Sequence, residues 1–102
     1  MNTKIKSLLP VIQEYFNDKP VLRAWLFGSY SRGEETPESD IDILVDYDRS
    51  KGKVSLFTMG GMLIDLSKLL GNHVDLVDSR GLMQFARESV EQDKILIYER
   101  EN

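Results

Sequence analysis

Cysteine is absent from the chain and histidine occurs once, at His73. The first absence excludes a disulfide framework and thiolate chemistry. The second excludes a zinc centre built on histidines. No apolar stretch approaches the roughly 20 residues needed to cross a bilayer. The first sixteen residues begin basic, but Pro10, Gln13 and Glu14 interrupt their apolar positions. They lack the continuous apolar core and small-residue cleavage site of a signal peptide, so a cytoplasmic location is expected. Positive charge is also short. Thirteen Lys and Arg against seventeen Asp and Glu give a net charge of -4 and a pI near 4.9. That balance argues against stable binding to a nucleic-acid backbone, which relies on clustered cations. It leaves room for a nucleotide whose phosphates travel with metal ions. There is no internal repeat, low-complexity run or linker, and 102 residues suit a single domain spanning 1–102.

What is present alternates between two periodicities. Residues 4–17 carry Ile5, Leu8, Leu9, Ile12, Tyr15 and Phe16 at helical spacing. Thr3 is the expected N-cap, and Pro10 is expected to start or bend this helix. Residues 21–27 read as a short, mostly apolar central strand ended by Gly28. Trp25 is expected to pack in the core. Residues 29–33 suit a short helix from Ser29, and 34–39 a polar loop. Residues 40–47 form a strand in which period 2 places Ile41, Ile43, Val45 and Tyr47 on one face. Asp40, Asp42, Leu44 and Asp46 fall on the other, and Asp46 and Asp48 read as solvent-facing charge.

Residues 54–70 are the longest expected helix, with a stripe of Leu56, Phe57, Met59, Leu63, Leu66 and Leu70. A close helix-to-sheet contact would explain Gly60-Gly61 inside it. Gly71-Asn72 is a stop. A third strand follows at 73–77, with Val74 and Leu76 facing away from His73, Asp75 and Val77. Asp78-Ser79 can cap a last helix over about 80–91, whose apolar side is Leu82, Phe85, Ala86 and Val90. Residues 94–98 read as an edge strand or extended tail. The pattern is α/β (α+β), a small sheet backed by helices on one face.

If helices cover the aliphatic faces, Asp40, Asp42 and Asp75 converge on the open side. Carboxylates at i and i+2 of a strand stand roughly 6.5–7 Å apart at Cα and can hold divalent cations between them. Hard oxygen ligands select Mg²⁺ or Mn²⁺. Gly28-Ser29 supplies a turn that a phosphate can approach closely, and Arg32, one turn on, could reach a β or γ phosphate. His73 reads as solvated, although it lies on the acidic face. Each part alone is commonplace. A Gly-Ser, ten residues, and an Asp-x-Asp among aliphatics is far more specific.

The stretch GSYSRGEETPESDIDILVDYD resembles the G-S-x10-D-x-D signature of nucleotidyltransferases related to DNA polymerase β. A chain with little beyond that core resembles the minimal nucleotidyltransferase (MNT) group. VDLVD at 74–78 matches the position of that family's third acidic residue. The resemblance implies the nucleotidyltransferase core, a small mixed sheet backed by helices. It implies that Gly28 and Ser29 contact nucleotide phosphates and that Asp40 and Asp42 bind Mg²⁺. Asp75 would complete a metal site of two Mg²⁺ ions or serve as base. It further implies a HEPN-domain ribonuclease toxin as partner, with this chain its antitoxin, transferring AMP from ATP to a toxin tyrosine, in a possible hetero-oligomer. Two alternatives stand beside this enzyme: an antitoxin that acts by binding alone, and a small-molecule transferase modifying an aminoglycoside-type acceptor. The lack of a second domain tells against the last.

Overall fold

The computed structural model describes residues 2–81 and 84–101, apart from the side chains of 84–86. The chain runs α1 (Thr3–Phe16), β1 (Val21–Phe27), α2 (Ser29–Arg32), β2 (Ile41–Tyr47), α3 (Leu56–Leu70), β3 (Val74–Asp78), a 3-10 turn, α4 (Gln84–Asp93) and β4 (Ile95–Glu99). The four strands form one sheet in the order β3-β2-β1-β4. β1 is antiparallel to both β2 and β4, while β2 and β3 are parallel. The sheet is therefore mixed, and α3 is the crossover that a parallel pair requires.

α1 and α3 cover the aliphatic face. Ile5, Ile12 and Phe16 from α1 meet Met62, Leu66 and Leu70 from α3 over Ala24, Leu26, Ile41, Ile43, Val45 and Val74. These residues lie on one side because each strand alternates, as the sequence requires. A bulge in β1 between Val21 and Arg23 shifts the phase, so that Val21, Ala24 and Leu26 are all buried. The final segment is an edge strand, not a tail. It carries its own bulge, opposite Ala24 and Trp25. There Gln13 Nε2 donates to the Ile97 carbonyl at 3.0 Å, which occupies a group that the free edge would otherwise present.

Several expectations are corrected. The α1 cap is Asn2, whose side chain accepts from the Ile5 N–H at 2.8 Å, not Thr3. The helix runs through Pro10. Pro10 and Lys6, whose carbonyl it leaves without the usual N–H, both lie on the exposed face, where water can serve instead. α3 begins at Leu56 behind the Ser55 cap. Leu56 is 83% and Phe57 93% exposed, so the helix turns them outward instead of into the stripe. The core stripe is Met62, Leu66 and Leu70, flanked by Met59 and Leu63. A Cβ at Gly60 or Gly61 would meet nothing within 4 Å. Close packing therefore does not explain the pair. Asp78 caps a 3-10 turn, Ser79–Gly81, through the Arg80 N–H. The expected apolar residues Leu82, Phe85 and Ala86 lie outside what is described, while Val90 is buried.

Candidate active site

The open face of the sheet carries the acidic residues. The parallel register sets Asp42 of β2 directly beside Asp75 of β3, and the antiparallel register sets Phe27 of β1 on its other side. Neighbouring strands are about 4.8 Å apart, so the two carboxylates are held as a cross-strand pair by backbone hydrogen bonds. Asp40 precedes β2 by one residue. Asn72 fixes it there: its side-chain amide donates to the Ser39 carbonyl at 3.2 Å and the His73 carbonyl at 3.0 Å. The Ile41 N–H donates to the same His73 carbonyl at 2.9 Å. The entrance to β2 and the entrance to β3 are thereby fastened together. His73 Nδ1 comes to 3.1 Å from Asp40 Oδ1.

Gly28 ends β1 with φ 74° and ψ -155°, a conformation that a side chain strongly disfavours. A Cβ there would lie 2.3 Å from Asp42 Oδ2. The turn and the carboxylate thus touch, and only glycine fits between them. After the turn, the N–H groups of Ser31 and Arg32 both reach the Gly28 carbonyl, as does the Ser31 hydroxyl at 2.7 Å. Tyr30 is buried and anchors α2 in the core. Ser29 opens α2 directly after the Gly28 turn that touches Asp42, and among the described residues its hydroxyl has no protein partner.

A model of the polymerase beta nucleotidyltransferase family matches residues 11–102. The chain belongs to that family. A Methanocaldococcus jannaschii protein provisionally named a protein adenylyltransferase is 37% identical over 98 residues, covering 93% of this chain and 96% of the relative. The protein adenylyltransferase MntA of Thermococcus cleftensis is 30% identical over 95 residues, covering 92% and 93%. A solved toxin-antitoxin structure with AMP-PNP superposes with a TM-score of 0.67 at 28% identity, over 96% of this chain and 73% of that one.

In this nucleotidyltransferase the ligand atoms of Asp40, His73 and Asp75 all lie within 4.8 Å of one another. Asp42 stands outside that group, although its carboxyl is near enough to feel the charges of Asp75 and Asp40. Two of the three donors in the group are carboxylates, which fits a hard divalent cation. The electrostatics agree. Burial first, then the charges of Asp75 and Asp40, holds the Asp42 carboxyl above its ordinary value, against the opposing pull of Arg32 and His73. Like charges gathered in this way call for a cation.

Arg32 is near enough to influence Asp42, but its guanidinium is engaged elsewhere. Nε donates to Glu34 and Nη1 to Asp93 of α4, each at 3.0 Å. Asp46 and Asp48 are not simply solvent-facing. Asp46 pairs with Arg23 at 2.8 Å. Asp48 accepts from the Ser50 N–H and from Arg100, and these bonds hold its carboxyl down at about 2. Trp25 is not in the core either. It stands on the open face opposite Leu44, with Lys94 Nζ 4.5 Å from its ring centroid.

Asn72 and Asp93 escaped the sequence reading. A helix-stop asparagine and a helix-end aspartate carry no signal of the distant groups they bind.

Proposed function

We propose that the chain is an ATP-dependent protein adenylyltransferase that acts as an antitoxin, moving AMP onto a tyrosine of a cognate HEPN ribonuclease toxin. The observation that carries this reading is the cross-strand Asp42–Asp75 pair, with Asp40 alongside, pressed against the Gly28 turn. In this reading Asp40, Asp42 and Asp75 hold Mg²⁺, two ions in the full complex, and Gly28, Ser29 and Arg32 receive the phosphates. Bound divalent cations supply charge neutralisation at the phosphates and acidify the attacking hydroxyl. The tyrosine oxygen bonds to the α-phosphorus, the bond from that phosphorus to the β-phosphate bridging oxygen breaks, and pyrophosphate leaves. The tyrosine proton passes to a carboxylate, for which Asp75, the most exposed of the three on β3, is the candidate. The names and complexes of the relatives support a protein acceptor within a toxin-antitoxin pair.

A second reading, inhibition by binding alone, draws on the exposed Leu56 and Phe57 at the start of α3. Such residues offer an apolar surface to a partner without involving the acidic face. One experiment separates the two. The D40A/D42A variant is expected to bind the toxin yet fail to label it from radioactive ATP, and to lose protection of toxin-expressing cells. Protection that survives in the unlabelled complex would establish masking instead.

A further inference from the structure

Beside the acidic cluster lies a cavity of about 470 Å³ that the phosphate-transfer reading does not use. Its floor is the open face of β1 and β2, with Trp25 and Leu44 at its centre and Arg23 and Asp46 beyond them; Arg87 of α4 and Lys94, just after that helix, form its wall. The register places it with respect to the chemistry. On this face the cross-strand pairs run Phe27–Asp42, then Trp25–Leu44, then Arg23–Asp46. The second pair is therefore one same-face step, roughly 7 Å, from the Asp42 carboxylate. That is the span of a sugar. A cavity of this size suits a small organic group.

The lining selects the class of group. Leu44 is buried and apolar, and Trp25 presents a partly exposed indole. Four of the five charged residues of the lining pair within it, Arg23 with Asp46 at 2.8 Å and Lys94 with Glu91 at 3.0 Å, Arg87 being the fifth. A flat, neutral ring is favoured over a charged acceptor. α4 is also tied to the phosphate turn, since Asp93, next to Lys94, holds Arg32. The cavity and the Gly28 turn thus share a wall.

We infer that this cavity holds the nucleobase of the donor nucleotide, stacked on Trp25. The inference rests on the transferase reading and deepens it. Lys94 now covers the indole. A single ammonium–ring contact is weaker than base stacking, so the base can displace it. Stacking is tolerant, because every base has a π-face. Recognition of this kind binds the donor firmly without choosing sharply among purines.

Trp25 is the only tryptophan in the chain, so it reports directly. The probes are ATP, GTP and inorganic tripolyphosphate, each with Mg²⁺, read by indole emission and by calorimetry. ATP and GTP are expected to quench the emission and to bind within about fivefold of each other. Tripolyphosphate, which occupies only the phosphate end, is expected to bind without quenching. W25A should weaken ATP by about tenfold or more while leaving tripolyphosphate unchanged, and W25F should recover most of the loss. Saturating ATP that leaves the emission unchanged, or W25A binding ATP as the unmodified chain does, overturns the nucleobase site and leaves the transferase reading standing. Equal loss of ATP and tripolyphosphate in both W25A and W25F also overturns it, since the residue then serves the fold. A chain that binds neither probe sinks both readings together.

Discussion

At Gly28 two constraints meet. Its φ of 74° is strained for any side chain, and a Cβ would drive into Asp42 Oδ2. The G28A chain is therefore expected to lose about 1–3 kcal/mol of stability from backbone strain alone. Displacement of Asp42 should lower AMP transfer by at least about 100-fold, a loss larger than strain explains. Denaturant melts and labelled-ATP transfer measure the two effects separately. Asp42 itself makes a prediction about pH. A raised carboxyl binds its proton more tightly in the folded chain than in the unfolded one. Its contribution to stability is thus complete below the unfolded value of 3.8 and is lost as pH rises through the folded value. Without metal at pH 7, D42N is expected to melt at a higher temperature than the unmodified chain, and the gap should close as pH falls toward 3. Magnesium should raise the melting temperature of the unmodified chain and leave that of D42N nearly unmoved.

Among the elements, α3 departs most from its sequence pattern. Gly60 and Gly61 face open space, so G60A/G61A meets no steric obstacle. It is expected to stabilise the chain by about 1–2 kcal/mol through helix propensity, read as a higher denaturation midpoint at unchanged slope. The helix also shows why some features were legible and others not. Residues 40–47 alternate strictly, so their two faces followed from period 2 alone, as did the opposition of Val74 and Leu76 to Asp75. α3 is apolar on more than one side. Its sequence permits a stripe through Leu56 and Phe57 or one through Met62 and Leu66, and only the sheet it packs on decides. Trp25 was misplaced for a related reason: the Val21/Arg23 bulge shifts β1 by one residue, and a bulge leaves no mark in a run as apolar as VLRAWLF. The acidic site was legible because its spacing is covalent. Ten residues separate Ser29 from Asp40 whatever the tertiary fold. The partners of Arg32 and the fastening role of Asn72 are long-range and were not.

In the whole molecule, the strand that ends in the Gly28 turn is central only because β4 closes its outer side. Tyr98 packs on Phe16 with ring centroids 5.5 Å apart. The Arg100 N–H donates to the Leu22 carbonyl at 2.9 Å, and its guanidinium binds Asp48 and, at 2.7 Å, the Lys19 carbonyl. Removing residues 95–101 should therefore abolish cooperative unfolding, with the melt followed by circular dichroism becoming broad or featureless. Every residue assigned to metal or phosphate lies between Gly28 and Asp75, well before β4 in the chain. On the ribosome those groups all emerge while β1 still has an open, apolar edge. The acidic cluster is complete in composition before it is complete in shape. A growing chain passes through an interval in which it is exposed to strand pairing with its neighbours. The sheet closes only when residues 95–99 emerge, so the Gly28 turn is held firm last of all.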